Sequence, residues 1–572
     1  MKLKTVLAQC AVETGHLSVN LNQMKEMIAK AKEDSAELIV FPAMCLSGAC
    51  AADKWYSQQF VKDLQACNEE IKELSDDLII VWGNIRAKEN KLYEALFCAY
   101  QNEIVHVQDK RILKSEGVSS EHRYFTVPET EQKTVVILKD TRLGFVLSNE
   151  IEDQQLVQMD CDMLIHVDST PWTLDDEGKY DQKMKSLNHP CAVHVNVCGM
   201  QNTGKNVVMY DGGSAVYQMG VCTHALNDGF CKEYVLIEEN FTHRIEHKLL
   251  TCLVSAIREF DRQTLPYGPN WIIGLSGGLD SSVTAALLSM AVGSKRIRGY
   301  NLATRYNSEN TKDNASNLAE ALGIELRNGY ISEVVEASVH TAKIYGYQDD
   351  QMPTLVHENI QARVRGHLLS TFAQIENGVI MNNGNKIEVA LGYATMYGDS
   401  IGAIGPIGDL TKVQLFELSH EINEIFGKEV IPERLLPVVT DETLSWEMAP
   451  SAELREAQYD PMKWFYHDWL IAQLTNKHVE VEDIMEDYLN GTLQNSEMGR
   501  WLKYYHLLDG KSFIQDLEWV LRQMRVSIFK RVQSVPVVMV TKQAYGTNRH
   551  EVQGIFEESS RYKSLKEQIL KR

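Results

Sequence analysis

The apolar run Trp271-Ile272-Ile273 leads directly into Gly274-Leu275-Ser276-Gly277-Gly278-Leu279-Asp280-Ser281-Ser282, and a helix-forming stretch, Val283 to Met290, follows. A strand, a glycine-rich turn and a helix in that order specify an α/β unit. Glycines let the backbone turn tightly and approach a ligand closely. Free N–H groups at the helix start then face a negative charge, and the serine hydroxyls add donors. Asp280 is out of place beside phosphate unless it holds a cation, which makes it a candidate Mg²⁺ ligand. The loop is not a Walker A motif, because no Lys follows its last Gly. A glycine turn with a serine cap is the plainer reading of the same residues.

The rest of the chain fits an ordinary α/β protein. Its 572 residues predict about three domains, or two large ones, at roughly 100–200 residues each. A net charge of −21 without any long Lys/Arg run speaks against nucleic acid as a partner. No window approaches 18 apolar residues, so no membrane span is expected. The N-terminus lacks the h-region and cleavage site of a signal peptide. All 11 cysteines fall between Cys10 and Cys252, with no CxxC pair, which fits reduced thiols and a cytoplasmic location. Strands are expected at 38–41, 78–82, 134–138 and 163–167, and a helix at 21–32 with Leu21, Met24, Ile28 and Ala31 on one face. Asp211-Gly212-Gly213 marks a turn. Residues 241–262 read as a connecting helix, and the stretch from Asp460 to about Val526 as mostly helical.

The loop at 274–282 resembles the SGGxDS loop of the ATP pyrophosphatases, and further blocks narrow the resemblance to NAD synthetases. These are Ala303-Thr304-Arg305-Tyr306-Asn307-Ser308-Glu309-Asn310-Thr311, the ENxQARxRG helix from Glu358 to Gly366, Asn383-Gly384-Asn385-Lys386-Ile387-Glu388, and Gly392-Tyr393-Ala394-Thr395-Met396-Tyr397-Gly398-Asp399. Leu410-Thr411-Lys412, Pro450-Ser451-Ala452-Glu453-Leu454 and Phe529-Lys530-Arg531 complete the series in the family's order. The resemblance implies ATP binding by Gly274, Leu275, Ser276, Gly277, Gly278, Leu279, Asp280, Ser281, Asn383, Lys412 and Ser451. It implies deamido-NAD binding by Asn359, Glu388, Tyr393, Ala394, Thr395, Met396 and Lys530, and Mg²⁺ held by Asp280 and Glu388. Asn383 stands where the family has a Thr that contacts ATP; an Asn can donate and accept there. Lys412 and Lys530 also read as solvated surface lysines, and Glu388 as a partner of Lys386 or Lys412.

The first half resembles the nitrilase-type glutaminase domain of glutamine-dependent NAD synthetases. Phe41-Pro42, Leu46-Ser47-Gly48, Arg123-Tyr124-Phe125, Arg142-Leu143-Gly144 and Asp211-Gly212-Gly213-Ser214 carry that likeness. The family's general-base Glu and nucleophilic Cys are replaced by Ala43 and Ser148, and the Lys remains as Lys110. Ala43 cannot take a proton, and an unassisted serine hydroxyl is a poor nucleophile. Glu116 and Asp176 stand where the glutamine pocket has a Tyr and a basic residue. Cys45 offers a substitute nucleophile or a small buried hydrophobe. Lys110 reads as a relic, with pairing to an acid such as Glu150 as the alternative.

The resemblance therefore implies an α/β chain. A nitrilase-like αββα sandwich occupies 1–240, a connecting helix and linker 241–268, a Rossmann-like doubly wound parallel sheet with helical additions 269–545, and a tail 546–572. It implies adenylylation of deamido-NAD by ATP and displacement of AMP by ammonia taken up directly. The alternatives are a working glutamine-dependent synthetase, another ATP pyrophosphatase ligase, and a non-catalytic binding protein. A homo-oligomer, dimer or octamer, and a separate glutaminase partner are further expectations.

Overall fold

The structure is a computed structural model. It describes all residues except 1, 131, 305, 307, 308, 441, 442, 452, 453, 455–459, 547, 548 and 555, and it leaves out the side chains of 156 and 309. Arg305, Asn307, Ser308, Ala452 and Glu453 of the sequence blocks, and the side chain of Glu309, thus lie outside the described residues. The chain falls into two compact units, Met1–Phe260 and Asp261–Arg572. No helix among the described residues is long and apolar enough to cross a membrane.

In the first unit two sheets face each other. One orders its strands Glu233–Leu236, Thr5–Gln9, Leu38–Val40, Ile79–Lys88, Lys91–Tyr100 and Glu103–Asp109. The other runs Phe241–Thr242, Val221–Ala225, Ala215–Gln218, Ala192–Asn196, Met163–Asp168, Thr141–Leu147 and Val135–Leu138. Side chains alternate across a strand. Leu7, Val40, Val81 and Leu96 from the first sheet therefore meet Phe145, Ile165, Val193 and Val216 from the second in one core. Helices Leu17–Glu33 and Gln58–Lys72 accompany the first sheet, and the apolar stripe expected on the former (Leu21, Met24, Ile28, Ala31) is buried. The connecting helix is shorter than the sequence suggests, Lys248–Thr264, because residues 241–242 add a short edge strand.

The second unit is built on a parallel sheet ordered Glu325–Tyr330, Ile297–Ala303, Asn270–Gly274, Gly378–Ile380. The order reverses at Asn270–Gly274, so the chain leaves that strand at the topological switch point, where doubly wound sheets open a crevice at their carboxyl ends. The following helix begins at Leu279, four residues before the apolar stretch that signalled it in the sequence. A helical cluster, Trp464–Thr475, Val481–Asn490, Met498–Tyr504 and Gly510–Val526, packs around Tyr466, Tyr488 and Phe513. The last helix, Ser560–Leu570, joins the same core through Tyr562, Leu565 and Ile569.

Candidate active site

A cleft of about 670 Å³ opens at the switch point of the second unit. Its shape starts with Gly277, which has φ +81° and whose added Cβ would fall 1.9 Å from the carbonyl oxygen of Thr311. Only glycine fits a left-handed position pressed against backbone. Ser276 Oγ accepts the Gly278 N–H at 3.2 Å, while Ser281 and Ser282 hydroxyls donate to Gly278 O at 3.0 and 2.8 Å. Asn314 Nδ2 donates to Gly277 O at 3.1 Å, and Arg434 Nε holds Asn314 Oδ1 at 2.8 Å. The loop is thus fixed with the start of helix Leu279–Val292 turned to the cleft, where N–H groups and the helix dipole favour an anion.

Asp280 sits in the first turn of that helix, and Lys412 Nζ lies 2.8 Å from both of its carboxylate oxygens. Lys412 is buried and passes 5.1 Å from the Trp464 ring centroid. Asn385 joins the two acids expected to share a cation. Its Nδ2 donates to Asp280 Oδ2 at 3.4 Å, and its backbone N–H donates to Glu388 Oε2 at 3.3 Å. Asn385 also caps helix Lys386–Leu391, accepting from the N–H groups of Ile387 and Glu388 at 3.1 Å each. The Asn-x-x-Glu spacing is therefore a capping box that places Glu388 in the cleft. Desolvation and the Asp280 carboxylate push the Glu388 carboxyl well above its usual range, with Lys412 opposing and Asp460 adding to the rise. Three carboxylates around one lysine leave negative charge to balance. An oxygen-only donor set of this kind fits Mg²⁺.

Of the residues implied for ATP, all but Gly277 line the cleft: Gly274, Leu275, Ser276, Gly278, Leu279, Asp280, Ser281, Asn383, Lys412 and Ser451. Gly277 shapes the turn from behind. Of those implied for deamido-NAD, Asn359, Glu388, Tyr393, Ala394, Thr395 and Lys530 line it and Met396 does not. Asn383 Nδ2 donates to Gly274 O at 2.9 Å, so the Asn in the family's Thr place ties the segment after strand Gly378–Ile380 to the start of the loop. Thr395 Oγ1 donates to Asn359 Oδ1 at 2.7 Å, and Lys530 Nζ donates to Gly392 O and Ala394 O at 2.7 Å each. Neither lysine is a solvated surface residue. Lys386 does not pair with Glu388; it is buried on Asp409, Asn476 and Thr541 at 2.7, 2.9 and 2.8 Å. Gly366 and Gly398 explain each other, since a Cβ on the first would lie 2.5 Å from the carbonyl oxygen of the second.

The sequence blocks missed Asp460, which lines the cleft, and Asp468, whose Oδ2 accepts the Val413 N–H at 2.8 Å at the start of the Lys412 helix. Neither lies in a motif, and only packing brings them near Lys412.

In the first unit, Ala43 is fully buried and its N–H donates to Asp168 O at 3.1 Å. Ser148 follows strand Thr141–Leu147 at φ +42°, a conformation rare outside glycine, and its buried Oγ meets no hydrogen-bond partner among the described residues. Such a turn is the strained kind that presents a nucleophile. Lys110 does pair with acids, though not with Glu150. It is buried between Glu94 and Glu121 at 3.1 and 2.8 Å, and their charges hold its ammonium protonated against the cost of burial. Glu150 pairs instead with Arg111 at 3.2 Å. Cys45 is buried with its thiol donating to Gly83 O at 3.4 Å, and burial raises its pKa well above the usual value, which makes it inert. All 11 cysteines are free.

Beside Ser148, His166 Nε2 lies 2.8 Å from Ser148 O, and His166 Nδ1 lies 2.9 Å from His194 Nδ1. Burial holds both imidazoles below their usual pKa, His194 down to about 3. A carbonyl only accepts, so the neutral His166 donates through Nε2 and accepts at Nδ1 from His194.

Residues 261–500 match the NAD synthase family model. Over 96% of both chains the protein is 24% identical to the glutamine-dependent NAD(+) synthetase of Xanthomonas campestris. Against that of Acinetobacter baylyi it is 26% identical over 80% of this chain and 84% of the relative. Among solved structures, the glutamine-dependent NAD+ synthetase of Acinetobacter baumannii in complex with ADP superposes with a TM-score of 0.69 at 23% identity, covering 96% and 98% of the two chains. The glutamine-dependent enzyme of Cytophaga hutchinsonii gives 0.77 at 15% identity, covering 99% of each. Residues 261–500, set at a doubly wound switch point, thus match the NAD synthase family, and along most of its length the chain is similar to glutamine-dependent NAD synthetases.

Proposed function

We propose that this protein makes NAD from deamido-NAD and ATP through an adenylated acyl intermediate, and that ammonia enters without glutamine hydrolysis by its own first unit. One observation carries the synthetase reading: blocks spread from residue 274 to residue 530 line a single cleft around the Gly-rich loop. The loop N–H groups and the start of helix Leu279–Val292 bind the ATP phosphates. Asp280 and Glu388, with Asp460, would hold Mg²⁺, which when bound neutralises phosphate charge. Lys412 moves between Asp280 and the phosphates and offsets charge on departing pyrophosphate. Asn359, Glu388, Tyr393 to Thr395 and Lys530 orient deamido-NAD so that its nicotinate carboxylate attacks the α-phosphorus. Ammonia then attacks the acyl carbon and AMP leaves with the acyl oxygen. Catalysis rests on orientation and electrostatics, with no covalent enzyme intermediate.

Ammonia use is supported by Ala43 and Ser148 in the places of base and nucleophile, and by the absorption of Lys110 into a buried pair with Glu94 and Glu121. The relatives favour a second reading. They are named glutamine-dependent, and this chain matches one of them along 96% of its length. Initial rates of NAD formation with ammonium and with glutamine, for wild type and Asp280→Ala, separate the readings. The expected result is turnover with ammonium alone, lost in the variant. Stoichiometric release of glutamate coupled to NAD would overturn ammonia-only use, and no NAD from either source would overturn the synthetase reading.

A further inference from the structure

His166 and Asp168 lie two residues apart on strand Met163–Asp168, so both point to one face. In the parallel ladder His166 is paired with His194 on strand Ala192–Asn196, which brings the second imidazole beside the first. One ligand atom from each of His166, Asp168 and His194 lies within 4.8 Å of the others, and all three residues are buried. Asp168 Oδ1 is engaged by the Ser169 N–H and the Thr170 hydroxyl, each at 2.8 Å. Its Oδ2 is buried and meets no hydrogen-bond partner among the described residues. A buried carboxylate oxygen without a donor is costly, and a cation would satisfy it.

We propose that His166, His194 and Asp168 form a binding site for a divalent transition-metal ion, with zinc the best fit to two imidazoles and one carboxylate. Tetrahedral zinc with bonds of about 2.0–2.1 Å sets its ligand atoms roughly 3.3 Å apart. To admit the ion the two imidazole Nδ1 atoms at 2.9 Å spread slightly, the proton that His194 Nδ1 donates to His166 shifts to His194 Nε2, and the carboxylate closes by up to about 1.5 Å. The surrounding contacts are those of a prepared site. His166 donates its other ring N–H to the Ser148 carbonyl, which fixes Nδ1 as the ligand atom. Tyr180 stacks on His194 with centroids 5.6 Å apart and bonds the Thr170 hydroxyl at 3.0 Å. Three protein ligands leave a fourth position for water. The ion would cross-link two neighbouring strands beside the turn of Ser148, with Ala43 bonded to the Asp168 carbonyl.

The full chain, expressed in zinc-supplemented medium so that the buried site loads during folding, is tested by metal analysis and zinc K-edge absorption. One zinc per chain is expected, with the scattering signature of two imidazoles. His194→Gln should lose it, and Thr170→Val, which removes the hydroxyl that bonds Asp168 and Tyr180 but no ligand, should hold it about 10–100-fold more weakly against a chelator. Absence of stoichiometric zinc overturns the site, as does oxygen-only scattering, which would place the ion among carboxylates. Undiminished zinc in His194→Gln overturns it too. If His194→Gln fails to fold by circular dichroism, the wild-type absorption spectrum and Thr170→Val decide.

Discussion

Lys412 Nζ stands 2.8 Å from each carboxylate oxygen of Asp280, although 132 residues separate them in the chain. This pair couples the stability of the second unit to its chemistry. Asp280→Ala should abolish most NAD formation, by a factor of about 10²–10³ or more, as expected on removing a main electrostatic group. It also removes the carboxylate hydrogen-bonded to buried Lys412 and leaves only Glu388 and Asp460 to offset its charge, so the thermal midpoint of the second unit should fall by the equivalent of about 1.5–3 kcal/mol. Adding Lys412→Met should recover stability but not activity. A double variant no more stable than Asp280→Ala would contradict the pairing.

Gly277→Ala tests the loop. The new methyl would collide with the Thr311 carbonyl, at 1.9 Å, from a left-handed backbone position. The conformation alone costs about 1–2 kcal/mol, and relief of the clash must displace the loop. ATP–pyrophosphate exchange dependent on deamido-NAD should drop more than tenfold. Unchanged exchange would mean the loop does not grip the phosphates.

Asp468 supplies a pH signature. Burial pushes its carboxyl from 3.8 up to about 7, against the helix N–H groups it accepts. A carboxyl whose folded pKa is raised favours folding fully below its unfolded pKa, and that contribution is lost as pH rises through the folded value. Asp468→Asn removes this dependence. The variant's urea midpoint relative to wild type should therefore rise between pH 4 and pH 8. A difference flat across that range would show that Asp468 is not shifted.

Lys110 separates structure from catalysis in the first unit. Lys110→Met leaves Glu94 and Glu121 facing each other without their cation and should destabilise that unit by about 3–5 kcal/mol. Glu94→Gln in the same chain should restore part of the loss. Ammonium-dependent NAD formation at a temperature below the melt should stay near wild type. Loss of a glutamine-dependent rate, with stability unaltered, would instead assign Lys110 a catalytic role.

Local chemistry was legible in the sequence. The strand, glycine turn and helix at 271–290 and the apolar stripe of Leu21, Met24, Ile28 and Ala31 depend on near neighbours and on side-chain period. So does the capping spacing of Asn385 and Glu388. Of the residues implied by the blocks from 274 to 530, all but Gly277 and Met396 line the cleft, although the cleft also gathers residues outside those blocks, such as Tyr300, Asn382 and Asp460. Partner choice was not legible. Lys110 taking Glu94 and Glu121 rather than Glu150, Lys386 taking Asp409, and Asp460 and Asp468 closing on Lys412 follow from which elements pack together. The same holds for His166 and His194, which strand register alone makes neighbours. The sequence by itself determined the secondary elements and the stock of reactive groups, because these obey short-range steric and hydrogen-bonding rules. Only the tertiary structure decided which charges share a site. Burial makes an unpaired charge costly, and that cost is met by whichever opposite group the packing of distant segments brings within reach.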